Sequence, residues 1–239
     1  LQDELQIKLD THQFAYRKGV GCTDALVYLL DDVTTVLDDT DNHGAQLILY
    51  DFSKAFDLMN HQLLLTKQQE LELSDALISL VANYLCNRSH CVTLRCHNVK
   101  STYRICNTGV PQGTLCGPTL WSAFVNSLKF SQGATIKYAD DTTTYYPLKK
   151  STTETTSCTR SEVDFVPPEV GQQLIRECSD WANRNKMRLN VQKTKSLNVS
   201  LRKSLNMNSE LVMNTNQSVT NVSSSKLLGV TLDSHLTFS

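Results

Sequence analysis

The segment ATIKYADDTTTYYPL, residues 134–148, places Ala139-Asp140-Asp141 between two runs rich in Thr, Ile and Tyr. Those flanking residue types suit strands, so the segment reads as a β-hairpin with Asp140-Asp141 at its bend. Asp is disfavoured inside strands but at home in turns. The pair is therefore either an ordinary hairpin turn or a place where two like charges are kept for a cation. The chain repeats Asp-Asp at Asp31-Asp32 and Asp38-Asp39, pairs that need no chemistry. What decides between the two must come from the rest of the sequence.

Upstream, AQLILYDF (residues 45–52) is a short apolar run that ends at Asp51 and reads as a buried strand. If this strand neighbours the hairpin in one sheet, three carboxylates converge at one edge. Like charges a few Å apart raise one another's pKa and disfavour such a cluster. A bound divalent cation reverses that sign. An oxygen-only donor set without Cys or His suits Mg²⁺, which commonly takes one or two carboxylates plus substrate phosphates. Two such ions about 3.5–4 Å apart can activate an attacking hydroxyl and stabilise a leaving phosphate oxygen.

Further outward the pattern is mixed. Apolar positions Ala25, Leu26, Leu29, Leu30, Val33 and Leu37 predict a helix over 22–37, with Thr23 as its N-cap and a polar turn closing at Gly44. Residues 61–88 have helical periodicity, as two helices broken near Ser74-Asp75. Residues 90–113 alternate and are rich in β-branched side chains, predicting a hairpin with Asn98 near its turn. Gly109-Val110-Pro111-Gln112-Gly113 forces a loop, and a helix follows from Pro118. Residues 149–168 are Ser/Thr-rich and end in Pro-Pro, which reads as an exposed insertion. Residues 170–188 are helical, with Val170, Leu174, Ile175, Cys178, Trp181 and Ala182 on one stripe. The last segments read as strands. With no internal repeat and no regular βαβ alternation, the class is α+β.

The totals set bounds on function. With 239 residues, 40% apolar and 20% charged, the chain is an ordinary globular protein with a real core. No run approaches the roughly 18 apolar residues of a membrane span, and no signal peptide is visible, so an intracellular place, cytoplasm or nucleus, is expected. The chain lacks a starting Met and stops at LTFS, as a piece of a longer protein would. Its eight cysteines contain no CxxC pair; they read as reduced thiols, mostly buried, and not as zinc ligands. Net charge is −1, but residues 1–75 hold 5 basic against 14 acidic side chains. The span from Asn183 to Ser209 carries Arg184, Lys186, Arg188, Lys193, Lys195, Arg202 and Lys203 and no acid. Such a run is either a solvated face or a contact for a phosphate backbone.

Six blocks in order carry a resemblance that covers most of the chain: QFAYRKGVGCTDAL, LILYDFSKAFDLMNH, NTGVPQGTLCGPTLWSAFVNSL, YADD, LNVQKTK and KLLGVTLD. Together they resemble the reverse transcriptase of a non-LTR (LINE-type) retrotransposon. The resemblance implies a right-hand polymerase palm, an antiparallel sheet with helices on one face, with partial fingers and no thumb. It implies fingers over residues 1–45 and palm over 46–239, with residues 61–107 as a helix-and-hairpin segment between them. It also implies RNA-directed DNA synthesis by two-metal nucleotidyl transfer, with RNA template, DNA primer and deoxynucleoside triphosphates as partners and Mg²⁺ (or Mn²⁺) as cofactor.

Residue by residue, Asp51, Asp140 and Asp141 match the metal-binding triad, the first two as the more direct ligands. Phe56 matches an aromatic gate that would exclude a 2′-hydroxyl; core packing is the other role open to it. Gln112 and Gly113 match the loop against nucleotide and template, with Gly113 allowing close approach, and Tyr138 belongs to the same nucleotide site. Lys193 matches a lysine that can protonate departing pyrophosphate, although it is also one cation among seven. Gly229 reads as a close backbone approach near the primer or as a strand bulge, and Arg17 as a fingers arginine or a surface charge. The family's first fingers block has no counterpart here, Asn60 and Gln192 stand where Asp is common, and Cys116 replaces an aliphatic. The alternatives are a non-catalytic, reverse-transcriptase-derived nucleic-acid-binding or scaffold domain, and another palm polymerase of maturase or telomerase type.

Overall fold

In the computed structural model of the chain, residues 1–94, 96, 99–149, 169–201, 211–213 and 217–238 are described. The chain opens with α1 (Gln2–Gln6) and α2 (Cys22–Asp38), then enters β1 (Asn42–Tyr50). Three helices follow: α3 (Ala55–Leu58), α4 (His61–Glu70) and α5 (Asp75–Leu85). Next come four two-residue strands, β2 (Ser89–His90), β3 (Thr93–Leu94), β4 (Val99–Lys100) and β5 (Arg104–Ile105), which pair as β2–β5 and β3–β4. After α6 (Cys116–Val125) the hairpin strands β6 (Ala134–Tyr138) and β7 (Asp141–Lys149) appear, then α7 (Glu169–Arg184) and β8 (Lys195–Val199). Last come β9 (Leu211–Val212), β10 (Ser218–Val222) and the hairpin β11 (Ser224–Leu227) with β12 (Val230–Asp233).

The main sheet has the order β6-β7-β1-β8-β10-β9. β1 is its spine, antiparallel to both β7 and β8. Side chains alternate across a strand, and β1 uses both faces. Ala45 and Leu47 join Tyr145, Leu197 and Val199 under Leu26, Leu29 and Val33 of α2. Ile48 and Tyr50 face the other way, into a cluster with Trp121 and Phe124 of α6 and Leu174 and Trp181 of α7. The α+β palm-like class stands, with two details corrected. Helices cover both faces of the sheet instead of one, because a nearly continuous apolar strand must be buried on each side. The sheet is also not wholly antiparallel, since β8 and β10 run parallel.

The local signals place most elements. α2 buries Ala25, Leu29 and Val33, four residues apart. Its N-cap is Gly21, not Thr23, and Asp24 accepts the Gly21 amide at 2.7 Å. β1 starts at Asn42, with an irregularity between Asn42 and Gly44, so the turn expected to close at Gly44 ends earlier. The Asn60 side chain caps α4 by accepting from Leu63 N at 3.0 Å. α4 and α5 separate where expected, and α7 buries Leu174, Ile175, Cys178, Trp181 and Ala182. Asn98 and residues 150–168 of the expected insertion lie outside the described residues.

The outer edge of β6 is covered by the N-terminal segment, as an exposed strand edge requires. Phe14 N donates to Lys137 O at 2.8 Å and Lys137 N to His12 O at 2.9 Å. The Lys137 ammonium is buried and donates to Asp10 Oδ2 (3.0 Å) and Leu128 O (2.8 Å). Among the described residues seven cysteines are thiols, but only Cys178 is buried. The expectation of mostly buried thiols is therefore corrected: Cys22, Cys86, Cys96 and Cys116 are on helix ends and the hairpin arm, where no core reaches them. No helix among the described residues is long and apolar enough to cross a membrane.

Candidate active site

Strand register brings the separated carboxylates together. Along β1 and β7 the pairs run Leu49 with Thr143 and Tyr50 with Thr142. One further step on each antiparallel strand reaches Asp51 and Asp141. On the other side of β7, Tyr138 pairs with Asp141, which leaves Ala139 and Asp140 as a two-residue turn. Asp140 thus sits at the bend and Asp141 already belongs to the strand. Ala139 has φ = 55°, a left-handed conformation that disfavours a residue with a side chain. Its carbonyl accepts the Trp121 indole N–H at 2.6 Å.

Asp51 is held by its backbone. Asn190 N donates to Asp51 O at 2.8 Å, and Asp51 N reaches Thr194 Oγ1 at 3.4 Å. The Thr194 hydroxyl in turn donates to Asn190 O at 2.9 Å. The turn over residues 190–194 therefore clasps the end of β1 from below. Sequence reasoning passed over Asn190 and Thr194; their signal was the block LNVQKTK itself, where a buried Thr sits between two lysines.

Asp51 and Asp141 line one pocket of about 240 Å³ together with Thr143, Lys193, Lys195, Ser225, Lys226 and Leu227. Its lining carries two carboxylates and three lysines. Loss of hydration, followed by repulsion from Asp140 and Asp51, raises the pKa of Asp141. Tyr16 lies close enough to the turn that burial, then Asp140 and Tyr138, raise its hydroxyl. Among the described residues no three His, Cys, Asp or Glu side chains form a ready-made metal cage. The strand ends that carry these carboxylates meet as expected. The donors still fit a hard cation: they are all oxygen, and mutual repulsion of Asp51, Asp140 and Asp141 is what a cation would relieve. Those three residues are the ones available to hold it.

The other expected residues form a second assembly. Phe56 is half-buried, its ring 5.5 Å from that of Trp121. Phe56 O accepts Val110 N at 2.9 Å, Gly109 N donates to Met59 O at 2.7 Å, and Gln112 Nε2 donates to Asp57 Oδ1 at 3.0 Å. The Phe56 turn and the Pro111-Gln112-Gly113 loop are thus laced together. Gly109 allows a close approach within this assembly: a Cβ there would stand 2.6 Å from Asp57 O, at φ = 78°. A Cβ at Gly113 (φ = 76°) or Gly229 (φ = 91°) would meet none of the chain's described atoms within 4 Å, so within the chain itself the positive φ is what calls for glycine. For Gly229 this corrects the strand bulge, because the residue lies in a turn and not within a strand. Leu228 and Gly229, both at positive φ, are the two-residue turn between β11 and β12.

Phe56, Gln112, Gly113 and Tyr138 do not line the pocket of Asp51 and Asp141. Gln112 borders a separate cavity with Asp57, Arg88 and His90, and Tyr138 packs toward the α2 face. Arg17 donates from Nη1 to the carbonyls of Asp10, Thr11 and Gln13 at 3.1–3.3 Å. It is an organiser of the N-terminal loop, neither a loose surface charge nor a group pointing at the pocket.

The profile of the family described as reverse transcriptase (RNA-dependent DNA polymerase) matches residues 2–232. The chain belongs to the reverse transcriptase family. Among curated proteins this reverse transcriptase chain is 27% identical over 239 residues to the probable RNA-directed DNA polymerase from transposon BS of Drosophila melanogaster. It is 26% identical over 245 residues to the RNA-directed DNA polymerase from mobile element jockey of Drosophila funebris. These alignments cover 96% and 99% of the chain, which spans 24% of the length of each of those relatives. Among solved structures, apo telomerase from Candida tropicalis superposes with a TM-score of 0.62 at 10% identity, covering 100% of this chain and 38% of that one. Telomerase from Candida albicans gives 0.60 at 13%, with 97% and 36% covered. Such low identities speak for the polymerase palm fold alone.

Proposed function

We propose that this reverse transcriptase chain is the palm, with part of the fingers, of a mobile-element polymerase that copies RNA into DNA inside the cell. Residues 1–45 are assigned to fingers and 46–239 to palm. The observation that carries the reading is the register placing Asp51 opposite Asp141, with Asp140 in the adjoining turn. Asp51 and Asp140, assisted by Asp141, would hold two Mg²⁺ or Mn²⁺ ions. When bound, such ions lower the pKa of an attacking hydroxyl and neutralise charge on a leaving phosphate oxygen.

The reaction joins a primer 3′-oxygen to the α-phosphorus of a deoxynucleoside triphosphate and breaks the bond from that phosphorus to the β-phosphate bridging oxygen. Catalysis of this kind is positioning and charge stabilisation. Lys193, exposed at the pocket wall, is assigned the proton given to departing pyrophosphate. Lys195 and Lys226 in the same lining suit primer phosphates. Phe56 is assigned the floor under the sugar, where a ring leaves no room for a 2′-hydroxyl. Gln112, Gly113 and Tyr138 are assigned to the nucleotide and template side. The hydrogen bond from Gln112 to Asp57 supports coupling between that loop and the Phe56 turn.

The test is primer extension on an RNA template by the full-length protein containing this chain. Asp140→Asn should abolish extension while RNA binding is retained. Extension at the wild-type rate by Asp140→Asn would refute the assignment. RNA binding with no extension by the unmutated protein would instead identify a non-catalytic binding domain.

A further inference from the structure

Trp121 is the largest fully buried side chain among the described residues, yet its one polar atom leaves the core. The indole N–H reaches the carbonyl of Ala139 at 2.6 Å. Trp181 is different: its N–H goes to Ser127 Oγ, within the helical layer. The Trp121 ring also packs against Phe52 at 6.3 Å, Phe56 at 5.5 Å and Phe124 at 6.1 Å between centroids. Phe52 directly follows Asp51, and Ala139 directly precedes Asp140. One rigid ring therefore touches the neighbours of two separate carboxylates and the half-buried Phe56.

The contact at Ala139 has an energetic reason. An L-residue at φ = 55° costs about 1–2 kcal/mol relative to right-handed conformations. Such strain persists only where the surroundings over-determine it. A buried indole N–H needs an acceptor, and here the acceptor is the carbonyl of the strained residue itself. Flipping the Ala139-Asp140 peptide region toward a relaxed turn would move that carbonyl and strand the N–H in the core.

We infer that Trp121 is a positioning residue that clamps the Ala139-Asp140 turn, so that Asp140 is presented on the same side as Asp51 for cation binding. The inference rests on the proposed role of Asp51, Asp140 and Asp141 as ligands. It concerns how this chain orders them, since their heads do not form a cage unaided.

The experiment measures Mn²⁺ binding to the 239-residue chain by loss of the free-ion paramagnetic resonance signal, with circular dichroism as the check on folding. Asp140→Asn is the control and should remove most of the binding. Trp121→Phe keeps an aromatic ring and loses the N–H; it should weaken Mn²⁺ binding about fivefold to tenfold, the scale of one buried hydrogen bond. Ala139→Gly should bind within about twofold of the parent, because glycine adopts positive φ without penalty. Combining Ala139→Gly with Trp121→Phe should recover most of the loss, an outcome that general damage to the core would not produce. If Trp121→Phe does not fold, replacing Trp121 by benzothienylalanine, which keeps the ring shape and lacks the N–H, decides the matter by the same loss. Unchanged Mn²⁺ affinity in the variants lacking the N–H, or a loss that Ala139→Gly leaves unrepaired, would overturn the clamp. Unchanged affinity in Asp140→Asn would instead overturn the ligand assignment on which it rests.

Discussion

Asp51 and Asp141 occupy facing positions at the ends of β1 and β7, one step beyond the Tyr50–Thr142 pair. Facing like charges across adjacent strands destabilise a sheet, and loss of hydration, Asp140 and Asp51 together raise the pKa of Asp141. The proposed site therefore costs stability. Asp141→Asn should raise the melting temperature by about 1–3 °C, the scale of a fraction of a kcal/mol in a chain of this size, while lowering primer extension. Calorimetry without divalent ions checks the first effect; a lower melting temperature would contradict it.

Thr194 is fully buried between Asp51 N and Asn190 O. Thr194→Val keeps the volume and removes the hydroxyl. Loss of these bonds should cost about 1 kcal/mol and lower extension more than it lowers RNA affinity, because the clasp on Asp51 loosens. Urea denaturation paired with extension assays measures both.

The Asp10–Lys137 pair holds the N-terminal segment to β6. For Asp10, burial opposes ionisation, but Lys137 and hydrogen bonds from His12 outweigh it and lower its pKa to about 2. For Lys137, burial prevails over Asp10 and pulls the ammonium down. The partners thus disagree: the pair fixes register more than it adds net stability. Asp10→Asn, which strands a buried ammonium, should cost about 3 kcal/mol. Asp10→Leu combined with Lys137→Met should be neutral to within about 1 kcal/mol. A carboxylate with a depressed pKa stabilises the fold above its ordinary pKa of 3.8 and loses that contribution as pH falls toward about 2. Denaturation midpoints should therefore fall between pH 4 and 2 more steeply in the parent than in the double variant.

Two glycines with similar φ should respond differently to Ala. At Gly109 the new Cβ would meet Asp57 O at 2.6 Å, so strain and a backbone clash combine to about 3 kcal/mol or more. At Gly229 there is open space, leaving only the conformational cost of about 1 kcal/mol. Equal losses in thermal denaturation would show that the Phe56 turn yields more easily than its hydrogen bonds imply.

Much of the fold is legible in the sequence. The Thr- and Tyr-rich runs around Asp140 announced the β6–β7 hairpin, and the four-residue spacing of Ala25, Leu29 and Val33 announced α2, because side-chain periodicity is a local property. The helix caps were read less well. Thr23 lost to Gly21, since Asp24 could reach back to the Gly21 amide. Gly229 lies in a turn and not in a strand bulge, because turn and bulge glycines look alike in a sequence. The thiols were expected inside, but cysteine composition does not say which segments the core will reach.

By itself the sequence determined the class of the fold, the order of its blocks and the membership of Asp51, Asp140 and Asp141 in one family pattern. Each of these depends on residue types along the chain. Only the tertiary structure decided that Asp51 faces Asp141, that helices cover both sides of β1, and that the Trp121 N–H finds Ala139. Those relationships join residues separated by 90 and 18 positions or bury both faces of one strand. Register and burial arise from packing among distant segments, and no short stretch of sequence encodes them alone.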